Sequence, residues 1–253
     1  MHEASEQTCK GCFEKILRTL AGKSVGARNL QTREKWVENS LRTIPAGSRI
    51  LDAGAGECKY KRFCEHLNYV SQDFGCYDGI GDKKGLQVGN WDNSKFDIAS
   101  DITNIPEPDA SFDAIMCTEV LEHLPSPIEA LREFSRLLRP GGQIILSAPF
   151  ASLTHFAPYH FYSGYNIYFY QKWLKEFGFK IIELAPNGNY FEYIAQELRR
   201  LRWVSKRYAG RSLNIVEYFA IWIVYKALGR FSKNDTGSHE ILCYGYHIKA
   251  TKL

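Results

Sequence analysis

A chain of 253 residues that is 45% hydrophobic and 24% charged has the length and composition of a globular protein with a sizeable core, which excludes disordered, collagenous and low-complexity classes. Its formal charge of +4 is too mild to demand nucleic acid, so no such partner is expected. Seven scattered cysteines, an odd number, exclude a disulfide framework and predict a reduced, cytoplasmic protein, as does the polar first stretch without a secretory signal.

Residues 1 to 45 read as a helical preface. Phe13, Ile16, Leu17 and Leu20 recur at helical spacing, as do Trp36, Val37, Ser40 and Leu41, and Pro45-Ala-Gly47 ends the segment. Cys9-Lys-Gly-Cys12 lacks the second pair or nearby histidine of a zinc site, so free thiols are expected. Ala21-Gly-Lys-Ser24 lacks the upstream glycine of a phosphate loop.

From Arg49 the rhythm becomes strand, glycine turn, helix, strand. Short apolar runs fall at Ile50-Leu51, Tyr69-Val70, Phe96 to Ile98, Phe112 to Cys117, Ile144 to Ala148 and Phe179 to Leu184. The clearest helix between them runs from Ile128 to Leu138 and stops at Arg139-Pro-Gly-Gly142. This alternation predicts an α/β fold with a mostly parallel, doubly wound sheet over residues 46–253.

A helical insertion over residues 190–238 interrupts the pattern before a last strand at Ile241 to Ile248. Phe191, Ile194, Leu198, Leu201, Val204 and Tyr208 form an amphipathic stripe among Arg199, Arg200, Arg202, Lys206, Arg207 and Arg211. Ile215 to Leu228 is apolar almost all round, too short to span a bilayer, and must be covered by something. It is expected to pack on the catalytic domain as a lid, or to lie against an anionic membrane surface, which would make the protein peripheral.

The chemistry concentrates at Ile50-Leu-Asp-Ala-Gly-Ala-Gly-Glu-Cys58. A buried strand that ends in Asp52-Ala-Gly54-Ala-Gly56 lets backbone approach a ligand closely, because glycine has no Cβ, and a helix N-terminus beyond it favours a negative group such as a carboxylate. The loop alone fits several adenosine cofactors. A dinucleotide fingerprint starting at Gly54 would need glycine where Lys59 stands.

Asp52 before the GxG turn, Asp73 closing Tyr69-Val-Ser-Gln-Asp73, the segment Ser111-Phe-Asp running into Glu119-Val-Leu-Glu-His123-Leu, and Leu137-Leu-Arg-Pro-Gly-Gly142 together resemble the class I S-adenosylmethionine-dependent methyltransferases, type 11 subgroup, over about residues 48–150. The resemblance implies a Rossmann-like methyltransferase sheet and S-adenosylmethionine as cofactor. Asp52, Gly54, Gly56 and Asp73 would hold it, with Asp73 on the ribose hydroxyls. It further implies adenine contact at Asp101-Ile102 and cofactor contacts from Glu119 and His123. Asp101 could instead cap its own turn, and Glu119 and His123 could be ordinary helix residues. The sequence departs from the family at Cys58, where a third glycine is usual.

Methyl transfer to a hydroxyl also needs a base. His155 and His160, in the aromatic segment Pro149 to Tyr162 after the fifth strand, are the candidates for that role, equivalent in sequence terms. The expected acceptor is a small hydroxyl- or amine-bearing metabolite, such as a sugar or a lipid-linked intermediate. The alternatives are a fold-sharing binding protein without turnover and a nicotinamide or nucleotide-sugar Rossmann enzyme. Neither the oligomeric state nor the acceptor atom follows from the sequence.

Overall fold

The computed structural model describes residues 25–253, so the helix expected over Phe13 to Leu20 and the Cys9 and Cys12 thiols lie outside the described residues. The chain folds as two compact units. One is Gln31–Asn187 with Tyr244–Leu253, and the other is Gly188–Cys243 with residues 25–30. The division falls inside the segment read as a preface to residue 45. No helix among the described residues is long and apolar enough to cross a membrane, and no disulfide joins the described cysteines.

The first unit is built on strands β1 (Arg49–Ala53), β2 (Asn68–Asp73), β3 (Ile98–Ala99), β4 (Phe112–Thr118), β5 (Leu138–Pro149), β6 (Phe179–Asn187) and β7 (Gly245–Lys252). They form a seven-stranded sheet in the order β3-β2-β1-β4-β5-β7-β6. Strands β1 to β5 run parallel to one another, whereas β7 lies antiparallel between β5 and β6. This is the doubly wound α/β architecture the alternation predicts. The strand order reverses between β1 and β4, which creates the crevice where such sheets bind ligands.

Helix α1 (Asn29–Arg42) buries Val37, Ser40 and Leu41. Val37 and Leu41 join Ile44, Ile50, Ala114, Met116 and Ile145 in one apolar cluster. Helix α2 (Pro127–Leu137) starts one residue before the expected Ile128, because a proline at the first helical position costs no hydrogen bond. It buries Ala130, Leu131, Phe134 and Leu137. Helix α3 (Ile167–Glu176) is capped by the Asn166 side chain.

Three sequence expectations shift. The crossovers from β1 to β2 and from β2 to β3 carry a 3-10 turn (Lys61–Phe63) and an irregular loop rather than full helices. Residues Leu121–His123 form a 3-10 turn. The last strand begins at Gly245, not Ile241, since Tyr244 donates its N–H to Asn187 O at 3.0 Å and pairing starts beside that bond.

The second unit contains helices α4 (Tyr190–Tyr208) and α5 (Ile215–Lys233). Val25, Ala195 and Leu228 form its small core, with Phe191, Ile194, Leu198 and Tyr225 packed against them. The expected stripe on α4 is therefore half-buried at Phe191, Ile194, Leu198 and Val204, and Leu201 and Tyr208 are exposed. Helix α5 opens on a capping box of Asn214 and Glu217. Its Ile215, Val216, Phe219, Ile223 and Val224 are exposed, Val216 at 72%.

Candidate active site

At the switch point the turn after β1 is held by strand β2. The N–H groups of Gly54 and Ala55 both donate to Gln72 O, at 2.9 and 2.8 Å, and Gly56 N–H donates to Asp73 Oδ2 at 2.9 Å. Gly54 has φ +74, and a Cβ there would lie 2.6 Å from both Val120 methyl carbons. Only glycine fits that position. Cys58 also sits at positive φ, +56, which explains why glycine is usual there and makes this departure a strained one.

A cavity of about 330 Å³ opens over this turn, at the low end of the range for small-molecule pockets. Asp52, Gly54, Asp73, Glu119 and His123, all expected site residues, line it. Gly56 lies against the Trp91 ring, where a Cβ would meet Cζ2 at 2.5 Å. Asp101 instead accepts from Thr103 N and Oγ1, both at 2.8 Å, in its own turn, and Ile102 is buried. Neither Asp101 nor Ile102 is among the lining residues.

Asp52 is buried and accepts from the Tyr69 hydroxyl at 2.6 Å. Burial, aided by the Asp73 charge, pushes its carboxyl up to about 7 against the pull of that bond. Glu119 has φ +57. Its carboxylate accepts from Arg33 Nη1 at 2.5 Å and from Ser147 Oγ at 3.0 Å.

Sequence reasoning missed Arg33, which also lines the cavity. Burial opposes its charge, and Glu119 with Tyr60 more than restores it. Its Nε has no hydrogen-bond partner, a buried donor suited to a ligand carboxylate. Missed too was an aromatic wall. Tyr77 stacks on Phe156 with centroids 4.6 Å apart, and Trp91 meets both rings edge-on. The Tyr77 and Trp91 segment is irregular, so no periodicity marks it.

His155 and His160 sit beside the cavity rather than on its surface. Their rings lie 4.6 and 5.9 Å from that of His123. His123 donates Nδ1–H to Tyr159 O at 2.6 Å, and burial with the neighbouring His155 pushes it down to about 3, so its ring is neutral. His160 Nε2 meets Ser152 Oγ at 3.1 Å while that hydroxyl donates to Ser163 O. The hydroxyl can only accept from the ring, which leaves the lone pair of the neutral imidazole on Nδ1.

A doubly wound sheet with a glycine turn, an acid closing β2 and a cavity at the switch point defines a Rossmann-like nucleoside-cofactor fold. A family model described as a methyltransferase domain matches residues 27–184, and the chain belongs to that family. Ubiquinone biosynthesis O-methyltransferase of Xanthomonas axonopodis pv. citri (strain 306) is 32% identical over 118 residues, 43% of this chain and 46% of that protein. Demethylmenaquinone methyltransferase of Clavibacter sepedonicus is 28% identical over 160 residues, 61% of this chain and 59% of that protein. The chain thus spans about half the length of the curated relatives it matches.

Two solved structures share the fold. Haemonchus contortus phosphoethanolamine N-methyltransferase 2 in complex with S-adenosyl-L-methionine is 17% identical with a TM-score of 0.50, covering 90% of this chain and 53% of that one. The (4+2)-cyclase SpnF is 18% identical with a TM-score of 0.52, covering 88% and 81%. The methyltransferase fold and S-adenosylmethionine as the family's cofactor agree with the sequence expectation, and the nicotinamide and nucleotide-sugar alternatives are set aside. The residues present fit that cofactor: a cradle at Gly54 that a Cβ would fill, Asp73 on the wall, and the unpartnered Arg33 Nε.

Proposed function

We propose that this chain methylates a hydroxyl or amine of a small metabolite. The observation that carries the reading is the meeting of the Gly54–Gly56 turn and the Asp73 carboxylate on one cavity wall at the switch point. In this reading Asp52, Gly54, Gly56, Asp73, Glu119 and His123 hold the cofactor, joined by Arg33 on its carboxylate, while Asp101 serves its own turn. Bound S-adenosylmethionine supplies an electrophilic methyl group on a sulfonium, whose leaving thioether needs no acid. The protein's part is alignment, worth several kcal/mol of barrier, together with removal of the acceptor proton by His155 or His160. The fold alone does not carry the activity, since a cyclase shares it.

A lipid-linked acceptor is supported by the two relatives named for quinone chemistry. The exposed apolar residues of α5, with Arg202, Lys206, Arg207 and Arg211 exposed in the same unit, suit an anionic membrane surface as partner.

The test is transfer of label from methyl-labelled S-adenosylmethionine to a panel of sugar, phenol, amine and lipid-linked acceptors. Label on a hydroxyl or amine supports the reading. Tight S-adenosylhomocysteine binding with no labelled product from any class favours the binding protein without turnover.

A further inference from the structure

Beside the cavity the side chains of Glu122, His123 and His155 converge, and methyl transfer by alignment does not require the buried Glu122. Glu122 is fully buried, and neither of its carboxylate oxygens has a hydrogen-bond partner. A buried carboxyl left this way is costly unless a cation or proton compensates it. Its Oε1 lies 3.8 Å from His123 Nε2 and 3.9 Å from His155 Nε2. A ligand atom from each of the three residues lies within 4.8 Å of the other two.

Both imidazoles are oriented by carbonyls. His123 Nδ1 bonds Tyr159 O at 2.6 Å, and His155 Nδ1 bonds Leu153 O at 2.8 Å. A carbonyl only accepts, so each ring donates from Nδ1, and the lone pair available to a metal is that of Nε2, the atom that faces Glu122. Histidine ligands of metals carry this same outer support. The groups come from two segments already tied together, since the N–H groups of Phe161 and Tyr162 both donate to Glu122 O.

We propose that Glu122, His123 and His155 bind a divalent ion of the zinc class. Two nitrogens and one oxygen suit zinc and its transition-metal neighbours rather than magnesium or calcium, which favour all-oxygen shells. Tetrahedral zinc with ligands at about 2.1 Å holds them about 3.4 Å apart, so the two carboxylate edges need to shorten by roughly 0.5 Å. Three protein ligands leave a position open, and His123 also lines the cofactor cavity. An acceptor oxygen at that position would have its pKa lowered by the ion. This last step rests on the methyl-transfer reading, whereas the binding of the ion does not. His155 then holds the ion, and His160 is left for the proton.

The full chain, stripped with a chelator and titrated with zinc by calorimetry, should take up about one ion per chain, with metal content after desalting giving the same count. Glu122→Gln and His155→Ala should each lose about tenfold or more in zinc affinity, while keeping a cooperative thermal transition and S-adenosylhomocysteine affinity. A wild-type chain that binds S-adenosylhomocysteine but takes up no stoichiometric zinc overturns the proposal. So does uptake that both variants leave unchanged. Should S-adenosylhomocysteine fail to bind while zinc uptake behaves as expected, the methyl-transfer reading falls and the metal site stands.

Discussion

One carboxylate oxygen of Asp73 accepts the backbone N–H of Gly56 at 2.9 Å, and the other accepts that of Gly75 at 3.0 Å. The acid closing β2 therefore anchors the glycine turn as well as facing the cavity. Asp73→Ala removes a loop anchor and, on the proposed reading, a partner of the cofactor. Hydrogen bonds to a charged group contribute about 1.5–3 kcal/mol, so S-adenosylhomocysteine affinity measured by calorimetry should fall at least about tenfold. Asp73→Asn keeps one acceptor oxygen and should lose less. Full affinity in the alanine variant would remove Asp73 from cofactor recognition.

Gly54→Ala tests the cradle. The left-handed φ of +74 and the 2.6 Å approach to Val120 combine strain of about 1–2 kcal/mol with a steric clash. We expect a melting temperature several degrees lower and weaker S-adenosylhomocysteine binding. Adding Val120→Ala should recover part of the stability by relieving the clash, while the φ cost remains. A single variant that binds and melts like the parent would reduce Gly54 to an ordinary turn residue.

His247 makes stability depend on pH. It is buried, and it stacks on Trp36 with centroids 4.6 Å apart. Burial first, and then the Arg33 charge, push it down to about 4. The unfolded chain keeps the ordinary value of about 6.5, so between those values the unfolded state holds more protons. Stability should be fully present above about pH 6.5 and fall as pH drops toward 4. His247→Phe should flatten melting temperature across that window. An equally steep profile in the variant would assign the dependence to other groups.

His160→Ala should lower turnover about 10²–10⁴-fold with cofactor affinity preserved, because the loss concerns the acceptor proton. Turnover and calorimetry on the same preparation separate these effects. A fully active variant would move the base elsewhere.

Co-sedimentation with vesicles tests the α4–α5 surface. The chain should pellet with anionic vesicles at low salt and be released at high salt, since each basic residue near such a surface contributes about 1 kcal/mol. Arg202→Glu with Lys206→Glu should weaken pelleting strongly. Indifference to anionic vesicles at low salt would end the membrane reading.

The parts of the fold that the sequence makes legible are those with a local physical cause. Continuous apolar runs at β1 and β4 mark strands covered on both faces, and Gly54 and Gly56 mark a turn that tolerates no side chain. Arg33 escapes because an arginine on an amphipathic helix looks solvated, and its burial comes from packing in the folded chain. Glu122 escapes as a site residue for the complementary reason: beside the adjacent His123, its other partner, His155, comes from a segment far along the sequence. Tyr77 and Trp91 stand in a loop with no period to read. Asp101 stands out in the sequence by its distance from the earlier motifs, yet its carboxylate is satisfied by Thr103 two residues on. The start of β7 is hidden because Ile241 to Ile248 is rich in apolar residues throughout, while pairing with β5 and β6 selects Gly245–Lys252.

The bond between Tyr244 N–H and Asn187 O means that the chain leaves the sheet and returns to it at neighbouring points. Whatever length of polypeptide intervenes, strands β6 and β7 keep the same register. The position behaves as a splice point: the ladder does not record what is inserted there. Segments of different size and chemistry can be exchanged at this place without altering the strand ladder, so the sheet and the unit inserted between β6 and β7 can vary in sequence independently.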